Sequence, residues 1–289
     1  ASIRSAGSTL VAPAGLRSLS MKSTINKDTV LCMSLSARPG NFGTRFQNFL
    51  YERLGLNFIY KAFTTSDIAA AVAGIRALGI RGSAISMPFK ETCMPHLDRI
   101  EASARGIDSV NTIVNDAGIL TGYNTDYIAV RDLLVKREVR GEFAVRGSGG
   151  MAKAVVCALR DIGVESGRVI ARNEKTGRAL AERYGYRWAD ELRDDVNVLI
   201  NASPIGMTGG PEAEQLAFTE DRIRSAELLF DVVAIPVETP LIRKGRALEK
   251  KLITGFDVIA LQALEQFVLY TGVRPPAELV REAAEFALM

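Results

Sequence analysis

Two side chains far apart in the sequence have the types that move a proton. Lys90 closes Ser86-Met87-Pro88-Phe89-Lys90, just past an apolar run, Ala84 to Met87, that reads as a buried strand. Asp126 closes Tyr123-Asn124-Thr125-Asp126, where a hairpin runs into a helix. An amine that takes a proton, oriented and charge-balanced by a carboxylate, is a general acid/base couple. Each residue also has a plainer reading. Lys90 can reach along its strand end to water and pair with Glu91 or a phosphate, and Asp126 can cap its helix. The sequence leaves these alternatives open. Rival bases are few. His96 is the one histidine and reads as a helix-surface residue. Cys93 and His96 have C-x-x-H spacing, but zinc needs three or four ligands and no second cluster follows, so no metal is expected. No tyrosine is followed four residues later by a lysine, which removes the Tyr-Lys couple of short-chain dehydrogenases.

A second constellation is Gly147-Ser148-Gly149-Gly150-Met151-Ala152, a G-x-G-x-x-A turn after a short strand and at the start of a helix. Its glycines allow a tight turn and close approach of a pyrophosphate. The helix start adds free N–H groups and the positive end of a dipole. This predicts a bound dinucleotide and hydride chemistry, for which Lys90 would supply the proton transfer. An acid after the second strand suits the ribose of NAD, whereas cations suit the 2′-phosphate of NADP. Arg172, Lys175 and Arg178 stand there and favour NADP, but Glu174 sits among them, so NAD stays open. Arg146 is an oddity, a charge at the last position of a strand where an apolar residue is expected.

These residues need a scaffold, and the pattern supplies one. From residue 28 the text alternates strand and helix, which predicts parallel strands with crossover helices. The expected fold class is α/β in two domains: a substrate domain with a mainly parallel sheet and a Rossmann-like dinucleotide domain, joined by linking helices. The stretch from Met94 to Gly106 reads as one helix, and Asn111 to Asp126 as a hairpin leading into the next. The boundaries read as a tail over 1–27 (disordered, non-native or targeting), a substrate-binding and catalytic domain over 28–130, an NADP-binding domain over 131–255, and carboxy-terminal helices over 256–289 that pack back on the first domain. The chain has 289 residues, 47% apolar and 24% charged, enough for a substantial core. A net charge of +3 argues for neither nucleic acid nor membrane surface. Three scattered cysteines suit free thiols and a cytoplasmic location.

Taken together, "SMPFKE", "SVNTI", "YNTD", "GSGGMAKA", "NASPIGM", "FDVVAIPVETPLI" and "VIALQALEQF" resemble one family, the shikimate dehydrogenases, in the family's order over residues 30 to 272. "SLSARPGNFGTRF" and "ARNEKTG" are similar to its shikimate dehydrogenase-like branch. The resemblance implies Lys90 and Asp126 as the catalytic pair. It implies Ser34 and Ser36 on a substrate carboxylate, and Ser86, Asn111 and Gln262 on ring hydroxyls. It assigns the pyrophosphate to Gly147, Ser148, Gly149, Gly150 and Met151, the adenosine phosphate to the loop from Asn173 to Arg178, and the nicotinamide to Val232 and Gly255. The implied activity is an NADP-dependent oxidoreductase of aromatic amino acid biosynthesis, a monomer or homodimer. It would interconvert shikimate, or a close hydroxy-cyclohexene carboxylate, with its 3-dehydro ketone. The alternatives are quinate with NAD, an aminoshikimate, or a non-catalytic ligand sensor on the same scaffold. Three positions depart from the pattern: Ser86 replaces a threonine, Ala234 a tyrosine that touches substrate, and Glu174 a phosphate-binding arginine.

Overall fold

A computed structural model describes residues 25–289; the expectation for the leading tail, where it concerns residues 1–24, lies outside the described residues. The described chain forms two six-stranded sheets with helices on their faces. The first contains β1 (Val30–Leu35), β2 (Phe58–Phe63), β3 (Gly82–Ile85), β4 (Arg99–Ile100), β5 (Thr112–Asp116) and β6 (Ile119–Tyr123), in the order β2-β1-β3-β5-β6-β4. β2, β1 and β3 run parallel, because the helices Phe42–Arg53 and Ile68–Ala77 return the chain between them. β5 pairs antiparallel with β3 and forms the predicted hairpin with β6. The second sheet contains β7 (Phe143–Arg146), β8 (Gly167–Ile170), β9 (Arg187–Ala189), β10 (Val198–Asn201), β11 (Leu228–Asp231) and β12 (Lys251–Ile253). Its order is β12-β11-β10-β7-β8-β9, with every pair parallel. The strand order reverses between β7 and β10, and the crevice beyond the carboxyl ends of two such strands is where open α/β sheets bind ligands.

Local chemistry sets the element ends. Asp67 accepts the Ala70 N–H at 2.9 Å and starts the helix Ile68–Ala77; Gly79, at φ +64°, takes the chain out of it. The helix Gly255–Thr271 opens on a capping box between Thr254 and Asp257 and stops at Gly272, φ +72°. Its Ala263, Phe267 and Tyr270 pack with Phe46, Leu50 and Tyr51 of the first unit, as does Ala283 of the last helix, Ala277–Leu288. Burying one such aromatic contributes about 2 to 3 kcal/mol. The Tyr270 ring lies so close to β3 that a Cβ at Gly82 would sit 2.1 Å from it, so only glycine fits.

The expected helix over Met94 to Gly106 breaks into a 3₁₀ turn (Met94–His96), the short strand β4 and one helical turn (Ala102–Arg105). The cause is Asp98. Its carboxylate accepts the Leu120 N–H at 2.7 Å and pairs with Arg76 at 2.8 Å, which holds the chain extended beside β6. The three-residue edge strands β9 and β12 carry too little pattern to read from sequence. No helix among the described residues is long and apolar enough to cross a membrane.

Candidate active site

Lys90 and Asp126 meet. Lys90 Nζ donates to Asp126 Oδ2 at 2.7 Å, with 29% of the lysine side chain and 15% of the aspartate side chain exposed. Lys90 sits on a one-turn helix (Phe89–Thr92) whose Phe89 is buried, and its carbonyl accepts the Val110 N–H at 2.8 Å. Backbone and side chain together thus fix where the amine can reach. The structure also separates the alternatives left open by the sequence. The helix Thr125–Lys136 is capped by Asn124, which accepts the Tyr127 N–H at 3.0 Å and donates to the Ser109 carbonyl at 2.8 Å. Asp126 is therefore released from capping. Glu91 pairs instead with Lys153 of the opposite unit at 3.0 Å, which leaves Lys90 to Asp126.

The pair faces a cleft of about 360 Å³ between the two sheets. From the first unit come Ser34, Ser36, Ser86, Asn111 and Gln262; from the second come Met151, Val232, Ala234 and Gly255. The polar groups are held with spare capacity. Asn111 Oδ1 accepts the Thr125 N–H at 2.7 Å and the Thr112 hydroxyl at 2.8 Å, while its amide nitrogen has no hydrogen bond among the described residues. The Ser36 hydroxyl is buried without a partner, and Ser34 lies beside the Tyr60 phenol, whose pKa burial drives up. Gln262 donates to the Ile259 carbonyl at 3.3 Å, and Ser86 sits exposed at the rim. Unused donors and acceptors around an amine–carboxylate pair suit a small polyhydroxylated acid. A larger surface hollow of about 710 Å³, bordered by Glu138, Arg140 and Glu165, holds no such couple.

The glycine turn lies at the strand-order reversal. Gly147 has φ +125°, and the helix Gly150–Asp161 begins at Gly149 with no side-chain cap. A Cβ on Gly149 or Gly150 would meet nothing within 4 Å. Open space over uncapped first-turn N–H groups fits a pyrophosphate. The Ser148 and Thr176 hydroxyls share a hydrogen bond at 2.8 Å, tying this turn to the loop after β8. Gly147, Ser148 and Gly149 line one cavity with Arg172 and Asn173. Lys175 and Arg178 do not border it. Arg178 is engaged by Glu174 at 2.6 Å and stacks on the Trp188 ring at 4.3 Å, and Lys175 is exposed.

A shikimate dehydrogenase-like protein of Haemophilus influenzae is 58% identical over 266 residues, covering 91% of this chain and 98% of that protein. The shikimate dehydrogenase (NADP(+)) of Archaeoglobus fulgidus is 36% identical over 254 residues, covering 83% and 92%. The chain belongs to the shikimate dehydrogenase family. The family's substrate-binding domain matches residues 42–113. The solved structure of a shikimate 5-dehydrogenase-like protein superposes with a TM-score of 0.91 at 58% identity, covering 92% of this chain and all of the other. The resemblance read from the motifs is thus borne out, as is the two-domain α/β fold.

In this family member several cleft residues escape motif reading. Arg38, Tyr60 and Gln266 also line the cleft. Gln266 is buried one helical turn beyond Gln262 and donates to the Thr112 hydroxyl at 3.0 Å, bracing the start of β5 next to Asn111. The signal for it was the i, i+4 spacing of two glutamines on one helix. Asp231, at the end of β11, is fully buried. Burial raises its pKa to about 6, opposed by hydrogen bonds from the Thr239 hydroxyl, the Val233 N–H and the Asn201 amide. This carboxylate shapes the loop that presents Val232 and Ala234. Asp231→Ala orphans three buried donors, and at about 1 to 3 kcal/mol for each unsatisfied group the expected loss is about 3 kcal/mol or more, measured by urea unfolding.

Proposed function

We propose that the protein is an NADP-dependent dehydrogenase that interconverts shikimate, or a close hydroxy-cyclohexene carboxylate, with its 3-dehydro ketone. The observation that carries this reading is the 2.7 Å Lys90–Asp126 contact on a cleft shared with Met151, Val232 and Gly255 of the dinucleotide unit. When bound, a nicotinamide supplies or accepts the hydride. Lys90 takes the proton of the reacting hydroxyl during oxidation and returns it during reduction. Asp126 orients the amine and balances its charge. Ser34 and Ser36 hold the carboxylate, and the unpartnered Ser36 hydroxyl is suited to that task. Asn111, Gln262 and Ser86 take ring hydroxyls.

Ala234 favours a second substrate within the same reading. It presents only a methyl group to the cleft, which leaves room for a bulkier or amino-substituted ring such as quinate or an aminoshikimate. A panel of shikimate, quinate and aminoshikimate against NADP and NAD, followed at the absorbance of the reduced nicotinamide, tests both. Turnover of at least one ring acid with NADP is expected. Tight binding of a ring acid without turnover by either cofactor would point instead to a ligand sensor.

A further inference from the structure

The helix after the glycine turn, Gly150–Asp161, is gripped from the first unit at both ends. At its last residue, Asp161 accepts the hydroxyl of buried Tyr127 at 2.6 Å. In its first turn, Lys153 donates to Glu91 at 3.0 Å. Tyr127 directly follows Asp126 in the chain, and Glu91 directly follows Lys90. Each member of the proposed acid/base couple thus has a chain neighbour that holds this helix. The two grips differ in kind. The one at Tyr127 is sheltered, and the Tyr184 hydroxyl adds a further tie between the units at the Gly106 carbonyl, 2.7 Å away. None of Asp161, Tyr184 and Gly106 borders the cleft. The Glu91–Lys153 pair is ionic and wet, with 65% of the glutamate side chain and 33% of the lysine side chain exposed. A cation sits badly in the first turn of a helix, against the positive end of the dipole, so the helix itself gives no reason for Lys153. Helical side chains lean toward the N-terminus, which places its ammonium on the side of the glycine turn. A pyrophosphate on that turn attracts the same ammonium that Glu91 holds.

We infer that Glu91 and Lys153 are positioning residues: their ion pair sets Lys90 in register with the nicotinamide side of the cleft, and Lys153 is shared between Glu91 and the pyrophosphate. This rests on the reading that a dinucleotide binds at the glycine turn. Glu91 does not border the cleft and acts through the one-turn helix that it shares with Lys90. Lys153 stands two residues after Met151, which does border it. A reacting group misplaced by about 1 Å can cost about a hundredfold in rate, so a lost tie here shows in kcat. The same loss frees Lys153 for the dinucleotide. Removing Glu91 therefore moves turnover and cofactor affinity in opposite directions, which a merely structural role does not do.

Steady-state kinetics on the best ring acid and calorimetric titration with NADP test this. The proteins are the full chain, Glu91→Gln, Lys153→Gln, Lys153→Arg and the double variant with both glutamines. Glu91→Gln is expected to lower kcat about tenfold. It binds NADP about twofold to fivefold more tightly, the size of one exposed charge contact. Lys153→Gln lowers kcat by the same factor and weakens NADP binding. Lys153→Arg keeps the charge and stays within about twofold of the wild type in both measurements. The double variant loses no more kcat than either single one, because the same tie is removed once. Unchanged kcat in Glu91→Gln, unchanged or weaker NADP binding by it, or losses that multiply in the double variant overturn the inference and spare the dinucleotide reading. A wild type without NADP binding or without turnover overturns the proposed function along with it.

Discussion

Lys90→Met lowers kcat by about 10²- to 10⁴-fold on the best ring-acid substrate and leaves KM nearly unchanged. The substitution keeps an unbranched side chain of similar length while the amine is lost. The groups proposed to hold the ground-state substrate are Ser34, Ser36, Asn111 and Gln262, and none depends on the Lys90 ammonium for its own hydrogen bonds. An interaction felt mainly in the transition state shows itself as a loss of kcat and of kcat/KM in equal measure. Asp126 loses its partner in the variant but is 15% exposed, so water can reach it. Steady-state kinetics in both directions, with a thermal unfolding control, make the measurement. A variant that turns over at near wild-type kcat would remove Lys90 from the chemistry and leave the cleft as a binding site.

How much of this was legible in the sequence depends on the range of the signal. The alternation of strand and helix was local and strong, and the longer strands of both sheets followed from it, though β4, β9 and β12 did not. The Lys90–Asp126 contact spans 36 residues; residue type offered the couple with an innocent alternative for each member, and the family's motif order favoured it. What decided between them was a neighbour in each case, Asn124 doing the capping and Lys153 occupying Glu91. Side-chain partners of that kind are three-dimensional facts. The same limit explains Arg178. Its cationic type suited a phosphate, but Glu174, one turn earlier, and Trp188, on the neighbouring strand, hold it away from the glycine-turn cavity. The helix expected from Met94 to Gly106 failed because Asp98 found partners in β6 and in Arg76, and tertiary pairing overrode the local pattern. Arg146 was visible as an anomaly, and only the folded chain shows what lies beside it, the Phe218 ring under its guanidinium.

Gly147→Ala is expected to lower stability by about 2 to 4 kcal/mol and to reduce dinucleotide affinity by about a hundredfold or more. At φ +125° an alanine is strained in any surroundings, and here its methyl would stand 2.4 Å from the Ala202 carbonyl oxygen and 2.8 Å from the carbonyl carbon. The obstacle is backbone, and it is pinned: the Ala202 N–H donates to the Arg146 carbonyl at 2.8 Å, and Asn201 before it is held by Asp231 at 3.0 Å. The turn must therefore shift, and it carries the first N–H groups of the helix Gly150–Asp161 with it. Gly149→Ala separates the two effects. Its backbone, at φ −84°, accepts an alanine, and the new methyl would meet no protein atom within 4 Å. Stability should change by no more than about 1 kcal/mol, the cost of replacing an N-cap glycine. Nucleotide affinity should still fall by about tenfold or more, because the methyl fills the space through which a pyrophosphate approaches the backbone. Urea unfolding and calorimetric titration with NADP on both variants give the comparison. If Gly149→Ala bound the nucleotide as tightly as the wild type, the open space above this turn would not be where the pyrophosphate lies.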